Sequence, residues 1–278
     1  MHRLAYKGYE IIKNVAQKGF FHLLSVNFFT QFLAFGTSLL VAKFLTPVEL
    51  GEIKIIQSYN GLFVVLAGFG LNSAILKICS EDRIEENKIF ILGKSLSLAV
   101  ISTLICLLLL IGLSLSGILT SSRPLAIWLI IYSCSIPFIV ATDIFSSFLQ
   151  ALKKIKNLAG ARAIIRIQSF IVIVFCTWRW GFKAFIIATI FAFAVGLIPL
   201  LFQIGPGIRY KLINFTNTIS LLSSNNIFPK DFYHIAIFSV LANAIGIIGQ
   251  YGDIFILDHF ARNREEIGFY SLAITFIV

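Results

Sequence analysis

The sequence predicts an all-α integral membrane protein, and its composition and the spacing of its apolar runs both support this fold class. Apolar residues make up 58% of the 278 residues and charged residues only 13%, with a mean hydropathy of +0.91. A soluble domain carries roughly 25% charged residues. The apolar residues also fall in runs of about 20, the helix length that crosses about 30 Å of hydrocarbon. A soluble enzyme or a nucleic-acid-binding domain is therefore excluded, despite the net charge of +10.

Seven apolar segments are long enough to cross a membrane completely. They cover about 20–42, 50–76, 94–118, 125–150, 162–179, 182–204 and 235–257. An eighth run begins near Ile267, and too little chain remains before Val278 for it to cross.

These segments predict three parts in chain order. Residues 1–204 form a six-helix N-terminal lobe, led by a basic amphipathic helix over 1–18 that lies on the membrane surface. The Asn- and Ser-rich stretch 205–234 is a cytoplasmic linker between lobes. Residues 235–278 begin a second lobe.

The distribution of basic residues predicts the orientation. Most of the 23 lysines and arginines lie in segments on the same side of the membrane as the N-terminus. The positive-inside rule therefore places the N-terminus in the cytoplasm. One cytoplasmic turn is especially basic and is a candidate for capturing an anionic lipid headgroup, although the ordinary topology signal is the favoured explanation. Its residues are Lys153, Lys154, Lys156 and Arg162.

Two distant passages share an order of residue types. Residues 44–51 (FLTPVELG) lead into the second helix, and residues 260–268 (FARNREEIG) lead into the eighth. Each has a short turn followed by an acidic residue, an apolar residue and glycine, and the second copy is one residue longer. Since parallel repeats are a known transporter design, this pattern indicates two related lobes.

Four passages resemble a known family: 42–51 (AKFLTPVELG), 67–74 (AGFGLNSA), 252–258 (GDIFILD) and 266–273 (EIGFYSLA). It is the polysaccharide-biosynthesis, O-antigen-type flippases of the multidrug/oligosaccharidyl-lipid/polysaccharide exporter superfamily, which is MATE-like. The resemblance implies two six-helix lobes around a central cavity, of which the second is truncated at the C-terminus in this chain. The lobes would rock to carry an undecaprenyl-pyrophosphate-linked oligosaccharide across the bacterial inner membrane, for O-antigen (lipopolysaccharide), capsule or exopolysaccharide assembly.

The same resemblance implies partners and coupling. Membrane lipid, the lipid-linked oligosaccharide and a polysaccharide polymerase machinery are the expected partners, and a Na⁺ or H⁺ gradient is the expected driving force, with no organic cofactor. This chain lacks the arginines in helices one and two that lipid II flippases of the superfamily use for pyrophosphate, which favours the O-antigen or capsule interpretation.

Polar side chains inside the spans are the candidates for a hydrated path, because flipping a sugar chain requires one. In helix one, Asn27, Thr30 and Gln31 share a face at helical spacing. The predicted cavity set is Asn27, Thr30, Gln31, Lys54, Gln57, Asn72, Asn243, Gln250 and Asp253. Ordinary packing of small and polar residues between membrane helices is the alternative.

Charges inside the spans should be paired or hydrated, since each would otherwise cost about 3 kcal/mol or more. Asp143 and Arg166 lie at similar depths in helices four and five, which predicts an ion pair. Asp253 and Lys54, in helices seven and two, predict a gate or a cation site between the lobes.

No catalytic pattern occurs, so we expect no enzyme activity: GxSxG, Walker A and HExxH are missing, and no metal-ligand spacing is present. Three alternatives stay open. A cation-coupled multidrug exporter of the same superfamily would carry an acidic N-lobe cavity, which Asp143 alone does not supply. A membrane-embedded glycosyl polymerase would need a large outer loop, and the predicted outer loops are short. An inactive truncated remnant is the third.

Overall fold

A computed structural model describes residues 20–120, 122–206, 208, 230–260 and 264–277. The predicted amphipathic lead 1–18 and most of the predicted linker 205–234 lie outside these residues. Within them the secondary structure is helical, as the sequence predicts. The helices are α1 Phe20–Phe44, α2 Pro47–Gly68, α3 Leu71–Ser80, α4 Glu85–Leu115, α5 Arg123–Ser133, α6 Ile136–Ala151, α7 Ile155–Ile204, α8 Lys230–Phe260 and α9 Arg264–Ile277.

Five stretches are long and apolar enough to cross a membrane singly: Ser25–Phe44, Glu85–Leu115, Arg123–Ala151, Ile155–Ile204 and Asp231–Phe260. Helices α2 and α3, bent by 43°, make a sixth candidate if they are taken as one span. The protein is thus a multi-pass membrane protein.

Helix α7 contains two spans. It has 50 residues, and Gly181 in its middle has φ 68° and ψ −149°, which is not helical. A Cβ placed on Gly196 would lie 3.2 Å from Ile165 Cγ2. In one straight helix these residues would be about 45 Å apart. The chain therefore turns back at Gly181, and its halves 155–180 and 182–204 pack antiparallel, giving the described residues seven spans, the predicted number.

The turn between the first two spans is fixed by a capping box. Thr46 is the N-cap of α2, and its backbone N–H and hydroxyl donate to Glu49 Oε2 at 2.8 and 2.9 Å. Glu49 N–H in turn donates to Thr46 Oγ1 at 3.4 Å. Pro47 occupies the first helical turn, where its missing N–H costs nothing. This short motif determines where α2 begins.

The second span breaks after Gly68. Phe69 and Gly70 have φ values of 44° and 61°, in the left-handed region, and α3 then continues at an angle. The fourth span breaks near Cys134, and Pro137 lies in the first turn of α6.

The surface of the bundle is apolar where lipid would touch it. Phe28, Phe32, Leu108 and Ile245 each expose about 70% of their area. Trp178 and Trp180 are also exposed beside the Gly181 turn, and the Arg179 guanidinium lies 6.0 Å from the Trp180 ring centroid. Tryptophan next to a basic residue at a helix end is typical of a membrane–water interface.

Candidate functional site

A cavity of about 250 Å³, here called the central cavity, lies between the spans below the α1–α2 turn. Its walls come from α1, α2, α5, both halves of α7, and α9. The polar residues in these walls are Thr37, Ser38, Lys54, Gln57, Tyr132, Arg166, Ser169, Thr189 and Ser271.

Two cations line the central cavity, Lys54 from α2 and Arg166 from the first half of α7, and its lining contains no carboxylate. Both side chains are half-buried. Arg166 Nε donates to the Thr30 carbonyl at 3.2 Å, and Lys54 Nζ lies 5.6 Å from the Tyr251 ring centroid. Among the described residues neither cation has an acidic partner. Two unneutralised positive charges within spans favour binding of an anion in this cavity.

The uncharged polar groups can serve as hydrogen-bond acceptors. Thr37 Oγ1 donates to the Leu33 carbonyl, and Thr189 Oγ1 to the Phe185 carbonyl, each at 2.7 Å. A hydroxyl that donates its proton to a backbone carbonyl of its own helix keeps its oxygen lone pairs free. Such a group can therefore accept a hydrogen bond from a sugar hydroxyl.

Above the central cavity, α2 crosses α9 with the two backbones in contact. A Cβ on Gly268 would lie 2.7 Å from the Pro47 carbonyl carbon, and a Cβ on Gly51 would lie 3.1 Å from Gly268 N and 3.4 Å from the Arg264 carbonyl carbon. The contact is reciprocal, since each glycine touches the residue four positions before the other glycine. We call this contact the glycine crossing.

The glycine crossing joins the two passages that the sequence analysis identified as a repeat. An ion pair between Arg264 Nη1 and Glu52 Oε1 lies beside it. Only glycine permits this approach at both positions, because any side chain would overlap backbone atoms that cannot rotate away. The repeated glycine is therefore the residue that lets the two helices close over the cavity.

A second, smaller cavity of about 50 Å³ lies where α2 breaks. Its lining residues are Val64, Val65, Gly68, Gly70, Asn72, Val140, Asp143, Ile144 and Asn243. We call it the small cavity.

The structure divides the predicted cavity set. Lys54 and Gln57 line the central cavity, whereas Asn72 and Asn243 line the small one. Thr30 contributes only its carbonyl, to Arg166. Four further predicted residues are exposed and line neither cavity: Asn27, Gln31, Gln250 and Asp253. The prediction of one shared cavity is corrected to two, because positions on one helix face diverge once the helices bend and cross.

The two predicted ion pairs do not form in the structure. Asp143 and Arg166 line different cavities, since Arg166 turns toward α1 while Asp143 lies against the α2 break. Asp253 Oδ2 instead accepts from the Tyr270 hydroxyl at 2.5 Å, and Lys54 lies by Tyr251.

The predicted basic cluster lies at the turn between α6 and α7. Lys153, with φ 58°, and Lys156 are exposed, and Lys154 and Arg162 are partly buried. Arg162 precedes Arg166 by four residues, so the two occupy the same face of α7. The cluster therefore continues along the helix toward the central cavity.

Several residues of the central cavity were not predicted from the sequence. Tyr132, Thr189 and Ser271 were not identified, and Arg166 was assigned to a pair. A signal was present in α7, where Arg166, Ser169 and Ile173 follow the i, i+3, i+7 spacing of one helix face.

A sequence profile of the family described as "polysaccharide biosynthesis protein" matches residues 16–278. The chain belongs to this family. No curated protein and no solved structure matches it. Family membership and the apolar spans together assign the protein a role in polysaccharide assembly or export at a membrane.

Proposed function

We propose that the protein is a flippase, which carries an undecaprenyl-diphosphate-linked oligosaccharide across the bacterial inner membrane for O-antigen, capsule or exopolysaccharide assembly. The observation that supports this most is the pair of cations, Lys54 and Arg166, in a polar cavity between spans with no carboxylate in its lining. A diphosphate linkage is the part of such a substrate that cannot enter hydrocarbon uncompensated. Charge-assisted hydrogen bonds from lysine and arginine are the usual solution in proteins.

The rest of the central cavity suits carbohydrate. Its hydroxyl and amide groups can exchange hydrogen bonds with sugar hydroxyls, which an apolar membrane interior cannot do. Two cations would repel an organic cation, so the oligosaccharide is favoured over the cationic drug of a multidrug exporter. The isoprenoid tail would remain in the bilayer.

Translocation requires the helices to separate. A volume of about 250 Å³ is below the roughly 300–1,000 Å³ of pockets that hold drug-sized ligands. With the N-terminus in the cytoplasm, as the distribution of lysine and arginine predicts, the glycine crossing lies at the outer side. The structure then corresponds to a conformation closed to the outside, and release of the substrate would need α2 and α9 to part there.

The basic cluster would act at the opposite side. Lys153, Lys154 and Lys156 would attract the anionic headgroup at the cytoplasmic surface, and Arg162 would pass it toward Arg166 along one face of α7.

Substitution of Arg166 tests the proposal. Arg166→Gln and Lys54→Gln should each lower flipping by about 10- to 100-fold, because a hydrogen bond to a charged group contributes roughly 1.5–3 kcal/mol. The measurement is the rate at which undecaprenyl-diphosphate-linked oligosaccharide becomes accessible to a lectin outside proteoliposomes, normalised to protein reconstituted.

Lys43→Gln is the matched control, since Lys43 is an exposed lysine near the end of α1 and lines neither cavity. It should flip at the rate of the unmodified protein. Equal rates in Arg166→Gln and Lys43→Gln would refute the assignment of the central cavity to the diphosphate.

A further inference from the structure

A groove with a volume of about 800 Å³ lies between the two halves of helix α7. Residues between 171 and 180 line one side, and residues between 183 and 191 line the other. The groove shares no lining residue with the central cavity, to which the same two halves also contribute. We call it the α7 groove. Its size falls within the roughly 300–1,000 Å³ of pockets that hold a ligand.

The α7 groove has a floor of smaller side chains between rims of large ones. On each half of α7 the floor residues are four positions apart, and so are the rim residues, because this spacing places side chains on one helix face. The floor residues are Val172, Cys176, Ala184 and Ala188, which are buried or partly buried. The rim residues are Ile171, Phe175, Ile187 and Phe191, each more than half exposed. This cross-section suits a flexible hydrocarbon chain.

The α7 groove also has the length of one membrane leaflet. From Trp180 back to Ile171 the helix rises about 14 Å, at 1.5 Å per residue. One leaflet contributes about 15 Å of hydrocarbon, half of the total thickness. The groove begins beside the Gly181 turn, where the exposed tryptophans indicate the membrane–water interface. It therefore follows the path of one acyl chain from the interface to the bilayer centre.

The interface end of the α7 groove is positively charged. Lys183 lines the groove there, and the Arg179 guanidinium lies 6.0 Å from the ring centroid of Trp180, another lining residue. Neither cation forms an ion pair with a residue that the structure describes. Helix α7 itself contains no aspartate or glutamate. These charges complement an anionic group at the level of the lipid headgroups.

We propose that the α7 groove binds one anionic phospholipid, with an acyl chain between the two halves of α7 and the phosphate on Lys183 and Arg179. The chain alone would give no preference, because the groove is no more apolar than the surrounding lipid. Charge-assisted hydrogen bonds to the phosphate supply the preference. A zwitterionic lipid carries its own cation, which competes for that phosphate, whereas phosphatidylglycerol carries none.

A lipid in the α7 groove would contact both halves of α7 and so stabilise the turn at Gly181. The proposal does not depend on the proposed function, because the groove and the central cavity have no residue in common.

Quenching of Trp180 fluorescence by brominated lipid tests the proposal. Trp180 lines the groove and packs edge to face against Phe175, with ring centroids 6.4 Å apart. Replacing Trp128 and Trp178 with phenylalanine leaves it as the only one of the three tryptophans. The purified protein is placed in phosphatidylcholine bilayers that contain increasing fractions of a dibrominated lipid. Dibrominated phosphatidylglycerol should reach half-maximal quenching at a mole fraction about 25-fold lower than dibrominated phosphatidylcholine, since each cation contributes about fivefold.

Three substitutions separate the headgroup contact from the acyl-chain contact. Lys183→Gln should lower the preference for phosphatidylglycerol about fivefold. Lys43→Gln is the matched control and should keep the preference, because Lys43 is an exposed lysine near the end of α1 and does not line the groove. Ala184→Leu should abolish the preference, since the larger side chain fills the floor while both cations stay in place.

Equal quenching by the two brominated lipids in the protein with the reporter alone would mean ordinary lipid contact and would overturn the proposal. The same preference in Lys183→Gln and Lys43→Gln would overturn it too, and this comparison stands if Ala184→Leu does not fold, because Lys183 is an exposed side chain. A preference that survives in folded Ala184→Leu would show that the headgroup binds without a chain in the groove, which also refutes the site.

Discussion

Replacing Gly268 with alanine should force α2 and α9 apart at the glycine crossing. The added Cβ would lie 2.7 Å from the Pro47 carbonyl carbon, whereas carbon atoms in contact are about 3.5 Å apart. The helices must therefore separate by about 1 Å. Pro47 cannot yield, because its carbonyl belongs to the first turn of α2, which the Thr46–Glu49 capping box holds in place.

Because the added Cβ overlaps backbone atoms of Pro47, the free energy cost of the substitution should lie near 3 kcal/mol. This value is the upper end of the usual range for overpacking. If that cost falls only on the closed conformation, the equilibrium shifts toward the open one by about 150-fold. The substitution should therefore open the central cavity rather than unfold the protein.

Thiol labelling measures this shift. Thr37→Cys places a thiol in the wall of the central cavity, in a background where Cys79, Cys106, Cys134 and Cys176 are alanine. A membrane-impermeant maleimide, added from the side of the glycine crossing, should label it at least tenfold faster when Gly268→Ala is present.

Gly112→Ala is the control, because no heavy atom among the described residues lies within 4 Å of its added Cβ. It should leave the labelling rate unchanged. If Gly268→Ala folds normally and labels no faster than Gly112→Ala, the crossing does not close the cavity and the reasoning fails.

Two further predictions concern the ion pair beside the glycine crossing and the turn at Gly181. Glu52→Gln should speed labelling of the Thr37→Cys thiol less than fivefold, since the partly exposed pair with Arg264 contributes about 0–1 kcal/mol. An effect as large as that of Gly268→Ala would mean that the ion pair, and not the backbone contact, holds the helices together. Gly181→Ala should lower the melting temperature, because φ 68° with ψ −149° is a glycine-only conformation that costs alanine about 1–3 kcal/mol. A Cβ added to Gly160, in the same helix, has no described heavy atom within 4 Å, so Gly160→Ala should leave the melting temperature unchanged. Equal melting temperatures in the two variants would contradict the sharp turn at Gly181.

The spans were predictable because a bilayer imposes a simple rule. Each apolar run must be about 20 residues long and must satisfy its own backbone, so length and composition identify it without knowledge of the neighbours. The sequence separated 162–179 from 182–204 for this reason, and the structure confirms the division with a turn at Gly181 alone. The family followed from local residue order in the same way.

Ion pairs between spans could not be predicted from the length and composition of the apolar runs. Depth along a helix gives one coordinate of a side chain, and Asp143 with Arg166 matched in that coordinate only. The direction each side chain faces depends on the break at Phe69 and Gly70, which places Asp143 beside α8, and on the contact of α7 with α1.

The sequence by itself determined that the chain crosses a membrane repeatedly, which family it belongs to, and which polar residues lie within spans. Only the tertiary structure brought Lys54 and Arg166 to one cavity and set Gly51 against Gly268. The physical reason is that hydrophobicity acts on each helix alone, whereas crossings and cavities depend on backbone atoms of two helices approaching within van der Waals distance.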